Sequence, residues 1–223
     1  MSATRTESPG VTAVVPVKPL ALAKSRLALP AAHRRALALT FALDTVAALA
    51  GCPEVGGVLV VTCDAEVARR VRRLGAQVAP DRGAGMRPAV RDGARAASTW
   101  RPGSGIAVVP ADLPCLTPAD VSGVLREAAA DPGRGVFVPD RAGTGTTFVV
   151  HAPGLAVRTR YGPASAARHR VLGLRAIDGA PRGARHDIDT VDDLRAACAL
   201  GVGPHTRAAA RGVLEIRTVV GAR

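Results

Sequence analysis

Five short segments carry side chains able to act on phosphates. The first, V-V-P-V-K-P-L-A-L-A-K-S-R-L over residues 14–27, sets Lys18, Lys24, Ser25 and Arg26 directly behind an apolar run. Lys18 and Lys24 are the only lysines among 30 basic residues, and they stand within one short stretch. An ammonium is a compact point charge suited to phosphate oxygens, so this stretch is a place to hold a polyphosphate. It lacks the glycines that precede the lysine of a P-loop, and it carries no G-x-G-x-x-G dinucleotide pattern.

The second segment, V-V-P-A-D-L-P-C-L at 108–116, lets Asp112 leave an apolar run. A carboxylate there is placed to hold a divalent cation over phosphates, or simply to shape a turn. The third, D-I-D, offers Asp187 and Asp189. Two residues apart on an extended chain they point the same way, and one of them could complete a site with Asp112. Alternatively, Asp189 or Thr190 caps the helix that follows. The fourth, G-T-G-T-T at 143–147, combines backbone donors freed by glycine with threonine hydroxyls; a plain hairpin turn explains it as well. The fifth, Y-G-P-A-S-A-A-R-H at 161–169, opens a helix with Ser165 in its first turn, a seat for a phosphate or carboxylate. His169 could equally be a surface residue, and it is given no catalytic role.

These segments need a scaffold, and the chain alternates strand and helix. Continuous apolar runs at 12–17, 57–63 and 105–110 read as buried parallel strands. Shorter strands are expected at 76–79, 136–139, 146–151 and 174–177. Helices are expected at 31–50, from the Asp64 cap to Leu74, from the 81–85 turn to about Thr99, and over 118–130, 163–172 and 190–200. The predicted fold is α/β: one three-layer αβα domain over residues 11–223 with a mostly parallel sheet. Residues 1–10 are expected to form a disordered tail, and Val213–Val220 an edge strand. Ligands of such sheets sit beyond the carboxyl ends of the strands, where the polar segments above fall.

Composition narrows the partners. The 223 residues carry a net charge of +12 and a sequence pI near 11.2. That balance suits an anionic partner. With one Trp, one Tyr and three Phe, the chain lacks the stacking aromatics of nucleic-acid binders. A phosphorylated small molecule is the expected partner; a basic nucleic-acid-binding module without catalysis is the alternative of another class. No run is long and apolar enough to span a membrane, and no leader pattern opens the chain, so the expected location is the cytoplasm. Cys52, Cys63, Cys115 and Cys198 lack metal-site spacing and read as small, mostly buried thiols. The oligomeric state is left open.

Taken together and in order, V-P-V-K-P-L-x-x-A-K-S-R-L, P-A-D-L-P-x-L, G-T-G-T-T, G-P-x-S-x-x-R-H and D-I-D-T-x-x-D-L resemble the guanylyltransferases of coenzyme F420 biosynthesis. The resemblance covers roughly residues 11–200. It implies a fold similar to the nucleotidyltransferases of molybdenum-cofactor and sugar-nucleotide synthesis, and transfer of GMP from GTP to phosphoenolpyruvate or 2-phospho-L-lactate. It implies that Thr147, Gly162 and Ser165 hold the three-carbon acid, and that Asp112 with Asp187 or Asp189 holds Mg2+. Lys18, Lys24, Ser25 and Arg26 would face the triphosphate, with Lys18, Lys24, Arg26 and Asp112 as the catalytic set. Gly85 and Arg87 fall in the nucleotide-binding segment. Two positions depart from the family pattern: Arg87 replaces an Asn, and Ala164 replaces the second Gly of G-P-G-S. A nucleotidyltransferase for another phosphorylated acceptor or another NTP is the nearest rival.

Overall fold

The computed structural model describes residues 10–83 and 85–220, with side chains to Val213. The expected tail lies almost wholly outside them. In chain order the elements are β1 (Val11–Pro16), a 3-10 turn (Leu20–Leu22), α1 (Ala31–Ala50), β2 (Val55–Val61), α2 (Ala65–Arg72), β3 (Gln77–Ala79) and α3 (Met86–Trp100). Then come β4 (Gly105–Val108), α4 (Pro118–Ala129), β5 (Val136–Pro139), β6 (Thr146–His151), α5 (Ser165–Val171), β7 (Arg175–Ala176), α6 (Arg182–Arg185), α7 (Val191–Leu200) and α8 (Pro204–Val220).

The strands form one seven-stranded sheet in the order β3-β2-β1-β4-β6-β5-β7. Every strand runs parallel to β1 except β6, which is antiparallel to both β4 and β5. The exception follows from the short hairpin between β5 and β6, since a tight turn can only reverse the chain. Asp140 N donates to Gly145 O to close it. Reversal brings the start of β6, and so Thr146 and Thr147, to the rim where the parallel strands end.

Alternating side chains of the buried strands supply two cores. On one face Ala13, Val15, Val58, Val60, Val136 and Val138 pack with α1, α2, α4 and α6. On the other Val14, Leu59, Val61, Val108, Phe137 and Val149 pack with α3 and α5. Gly93 lets α3 lie close on the sheet, because a methyl there would meet Val61 and Val14 at 2.6 and 2.7 Å. A third core joins α1 to α7 and α8 and includes Leu27, Phe41, Cys115 and Ile188.

Residues 213–220 form the end of α8 rather than the expected edge strand. The cause is a cap that no local pattern reveals. Asp44, buried in α1, accepts hydrogen bonds from His205 N at 3.1 Å and Thr206 N at 2.7 Å. It thus satisfies first-turn donors of α8 from another helix. Asp44→Ala is expected to cost about 1–2 kcal/mol of stability, the range of a lost N-cap. Thermal unfolding reads this as a drop of a few degrees, since about 1 kcal/mol moves Tm by roughly 2–4 °C in a chain of this size. An unchanged Tm would show that α8 is held by apolar packing alone.

The cysteines are all free: Cys52 and Cys115 are buried, Cys198 is half-buried, and Cys63 is exposed, contrary to the expectation for most thiols. Among the described residues no helix is long and apolar enough to cross a membrane.

Candidate active site

The charged residues at the rim owe their positions to apolar neighbours. Leu20 and Leu27 are buried in two different cores and pin both ends of the segment that carries Lys24. Leu20 N also donates to Asp64 Oδ2 at 3.0 Å, while Asp64 Oδ1 caps α2 as the sequence predicts. Between these anchors Lys24 adopts a left-handed backbone with φ +54°. For a non-glycine residue that conformation is costly and must be held by its surroundings.

Asp112 is fixed by the residue behind it. Leu113 is fully buried, and its N–H donates to Thr45 Oγ1 at 3.1 Å. Ile188 N donates to Asp112 O at 3.2 Å, so the D-I-D segment lies alongside the end of β4. Ile188 is itself fully buried. Its flanking carboxylates, Asp187 and Asp189, therefore turn away from that core. The helix-capping duty falls to Thr190, which forms a reciprocal capping box with Asp193 and leaves the Asp189 side chain available.

The three segments meet at one ammonium. Lys24 Nζ donates to Asp112 Oδ2 at 2.5 Å and to Asp189 Oδ1 at 3.2 Å. Arg26 Nη1 stands 3.6 Å from Asp189 Oδ2. Burial works against the charge on Lys24, but Asp112 and then Asp189 more than offset it, and the net pKa is raised. Asp187 is pushed up to about 7, by burial first and then by the charges of Asp112, Asp140 and Asp189; Lys24 pulls the other way. Asp140, at the end of β5, is thus part of the electrostatic centre, and sequence spacing gave no sign of it.

Lys24 therefore occupies the place between Asp112 and Asp189 where the sequence suggested a metal. Among the described residues no three His, Cys, Asp or Glu side chains form a ready-made metal cage. The donor set nonetheless fits Mg2+. That ion takes one or two carboxylates together with substrate phosphates and water rather than a protein cage. Asp112 Oδ1 is buried and has no hydrogen-bond partner, so the carboxylate retains an unused acceptor.

The other expected residues line the same rim with different engagement. Lys18 is exposed just past β1 and makes no ion pair among the described residues; Ser25 is exposed too. Gly85, with φ +95°, is the N-cap of α3, and the exposed Arg87 follows in its first turn. Thr147 is buried on β6, and its hydroxyl donates to Ala184 O at 2.6 Å. Its side chain is therefore committed to α6. Gly162 has φ +116°, and Ala164 sits in the left-handed region at φ +54°. That φ explains the glycine of the resembled pattern: a Cβ there carries a strain of about 1–2 kcal/mol. Ser165 is buried, and its Oγ donates to Thr146 Oγ1 at 3.1 Å. Tyr161 Oη donates to Val108 O at 3.0 Å, which ties the 161–165 segment to the end of β4 and hence to Asp112.

A mostly parallel sheet with cations and carboxylates gathered beyond its carboxyl ends is the arrangement of a nucleotidyltransferase. Residues 28–183 match the family model described as the MobA-like NTP transferase domain. The fold is similar to that of 4-diphosphocytidyl-2C-methyl-D-erythritol synthase from Anaerococcus prevotii, with a TM-score of 0.52 at 12% identity, covering 85% of this chain and 95% of that one. These likenesses define the class, a MobA-like nucleotidyltransferase. Much nearer relatives are two proteins named phosphoenolpyruvate guanylyltransferase. One, from Streptomyces scabiei, is 48% identical over 91% of this chain and 97% of its own length. The other, from Salinispora arenicola, is 46% identical over 87% and 91%. The chain belongs to the phosphoenolpyruvate guanylyltransferase family.

Proposed function

We propose that this chain transfers GMP from GTP to phosphoenolpyruvate and releases pyrophosphate, a step of coenzyme F420 biosynthesis in the cytoplasm. The observation that carries the reading is the junction of Asp112, Asp187 and Asp189 with Lys24 at the rim of β1 and β4. The reaction forms a bond between a phosphate oxygen of the acid and the α-phosphorus of GTP. The bond from that phosphorus to the bridging oxygen breaks, and pyrophosphate leaves with the electron pair. The attacking oxygen is already anionic near neutral pH, so no strong general base is required.

What remains for the protein is alignment and charge compensation. Lys18, free of carboxylate partners among the described residues, is available to the triphosphate. Lys24 and Arg26, paired with the carboxylates of the centre, would offset charge developing on the leaving group. Asp112, with Asp187 or Asp189, would hold Mg2+, which when bound polarises phosphoryl oxygens as a Lewis acid. Gly162, Ser165 and the backbone of Thr147 would seat the acid, and Gly85 with Arg87 would lie against the nucleoside.

The test measures pyrophosphate release with each of GTP, ATP, CTP and UTP against phosphoenolpyruvate and 2-phospho-L-lactate. GTP with phosphoenolpyruvate is expected to turn over at least about tenfold faster than any other pair, a difference of about 1.4 kcal/mol. Preference for another nucleotide would move the assignment to a different transferase. Magnesium-independent nucleic-acid binding without pyrophosphate release would remove it.

A further inference from the structure

We propose that the hydroxyl of Thr146 is a hydrogen-bond donor to the acid substrate, aimed by a buried relay of His169 and Ser165. The inference rests on the reading that the acid binds beside Ser165, and deepens it by naming a donor and its positioning residue.

The relay is read from donors and acceptors. Arg160 N is a backbone donor and lies 2.8 Å from His169 Nε2. That ring nitrogen must accept, so it carries no proton. The proton of the neutral imidazole is then on Nδ1, and Nδ1–H donates to Thr146 Oγ1 at 2.9 Å. Ser165 Oγ donates to the same oxygen at 3.1 Å. A hydroxyl oxygen has two lone pairs, and both are now used. The hydrogen of Thr146 is left without an acceptor among the described residues. A nearly buried hydroxyl whose donor is unspent, held by two neighbours that only donate to it, is prepared to meet an anion.

The environment keeps the relay in this state. His169 is fully buried, with its ring centroid 5.5 Å from those of Phe137 and Tyr161. Burial depresses its pKa to about 4, so the ring stays neutral at working pH. The location also fits. The β4–β6 register pairs Val108 with Val149. Because β6 runs antiparallel to β4, its first residue, Thr146, lies toward the end of β4 from which the chain leads to Asp112. Tyr161, which touches His169, bonds the last carbonyl of β4. The spare donor thus stands at the same rim as the carboxylate–ammonium centre.

A purely structural network would tie α5 to β6 and do nothing to substrate affinity, so the two roles separate by kinetics. Thr146→Val keeps the shape and removes the hydroxyl. It is expected to raise KM for phosphoenolpyruvate roughly tenfold to a hundredfold, the range for a hydrogen bond to a charged group. KM for GTP should stay within about twofold, because nothing in the relay faces the triphosphate segment. Thr146→Ser should restore most of the affinity. His169→Asn, which keeps a donor near the Nδ1 position, should be milder than His169→Leu, with folding of each checked by thermal unfolding. Wild-type phosphoenolpyruvate affinity in folded Thr146→Val, or equal loss of both substrates, would overturn the relay while leaving the transfer reaction standing. A wild-type chain inactive with GTP and phosphoenolpyruvate would instead remove the reading on which the relay depends.

Discussion

Asp112→Ala is expected to lower kcat by roughly a hundredfold to a thousandfold, the loss seen when one preorganised electrostatic contact to a transition state is deleted. The structure gives this side chain two jobs. Oδ2 holds the Lys24 ammonium, and Oδ1, buried and unpartnered, is the open acceptor of the centre. Its backbone carbonyl also receives Ile188 N, but that bond survives a side-chain change. The backbone should therefore stay in place while the chemistry fails. Some stability is lost too, because Lys24 keeps only the longer contact to half-exposed Asp189. Asp112→Asn separates the effects: it keeps shape and an oxygen near the ammonium but removes the negative charge. Both variants should unfold cooperatively within a few degrees of wild type and release little pyrophosphate. Near-wild-type kcat from either would mean that Asp112 is no part of the catalytic centre.

How much of this centre was legible in the sequence depends on how local its causes are. The D-I-D pattern could be read because its logic is local: two carboxylates two residues apart on an extended chain point the same way, and here Ile188 between them is buried while the charge of Asp189 acts on Asp187. The two lysines could be noticed because the chain otherwise uses Arg. That Lys24 itself fills the space between Asp112 and Asp189 could not be read, since their spacings along the chain are 88 and 165 residues. The same holds for α8, whose cap lies 161 residues away in α1. His169 could equally have been a surface residue, since it stands between two arginines, Arg168 and Arg170. Helical spacing puts it with Ser165 and Ala166 on the inner face of α5, against Phe137 and Tyr161. The buried parallel strands, by contrast, were plain from continuous apolar runs, and only the reversal at β6 needed the hairpin to be recognised.

Lys24→Ala should have the second largest effect, and its sign with pH tests the electrostatic account. In the free protein Lys24 opposes the carboxylates and lowers the Asp187 pKa. Without it, burial and the charges of Asp112, Asp140 and Asp189 act on Asp187 without that offset, and its pKa rises above about 7. A carboxyl whose folded pKa exceeds its unfolded value contributes stability that is present below the ordinary carboxylate range. That contribution is lost as pH rises through the folded value. The Tm deficit of Lys24→Ala relative to wild type should therefore be smaller near pH 5 than near pH 8, growing as pH rises between them. Removing one partner of a fully buried pair costs about 3–5 kcal/mol. Asp189 is half-exposed, so screening brings the cost here to about half of that. Turnover should also fall roughly a hundredfold, because the leaving pyrophosphate loses a compensating ammonium. Lys24→Arg should recover the stability more than the rate: a guanidinium can pair with two carboxylates, but it lacks the compact charge that the space between Asp112 and Asp189 accepts. A deficit that shrinks with rising pH would contradict the assignment of Lys24 as the counter-ion of this centre.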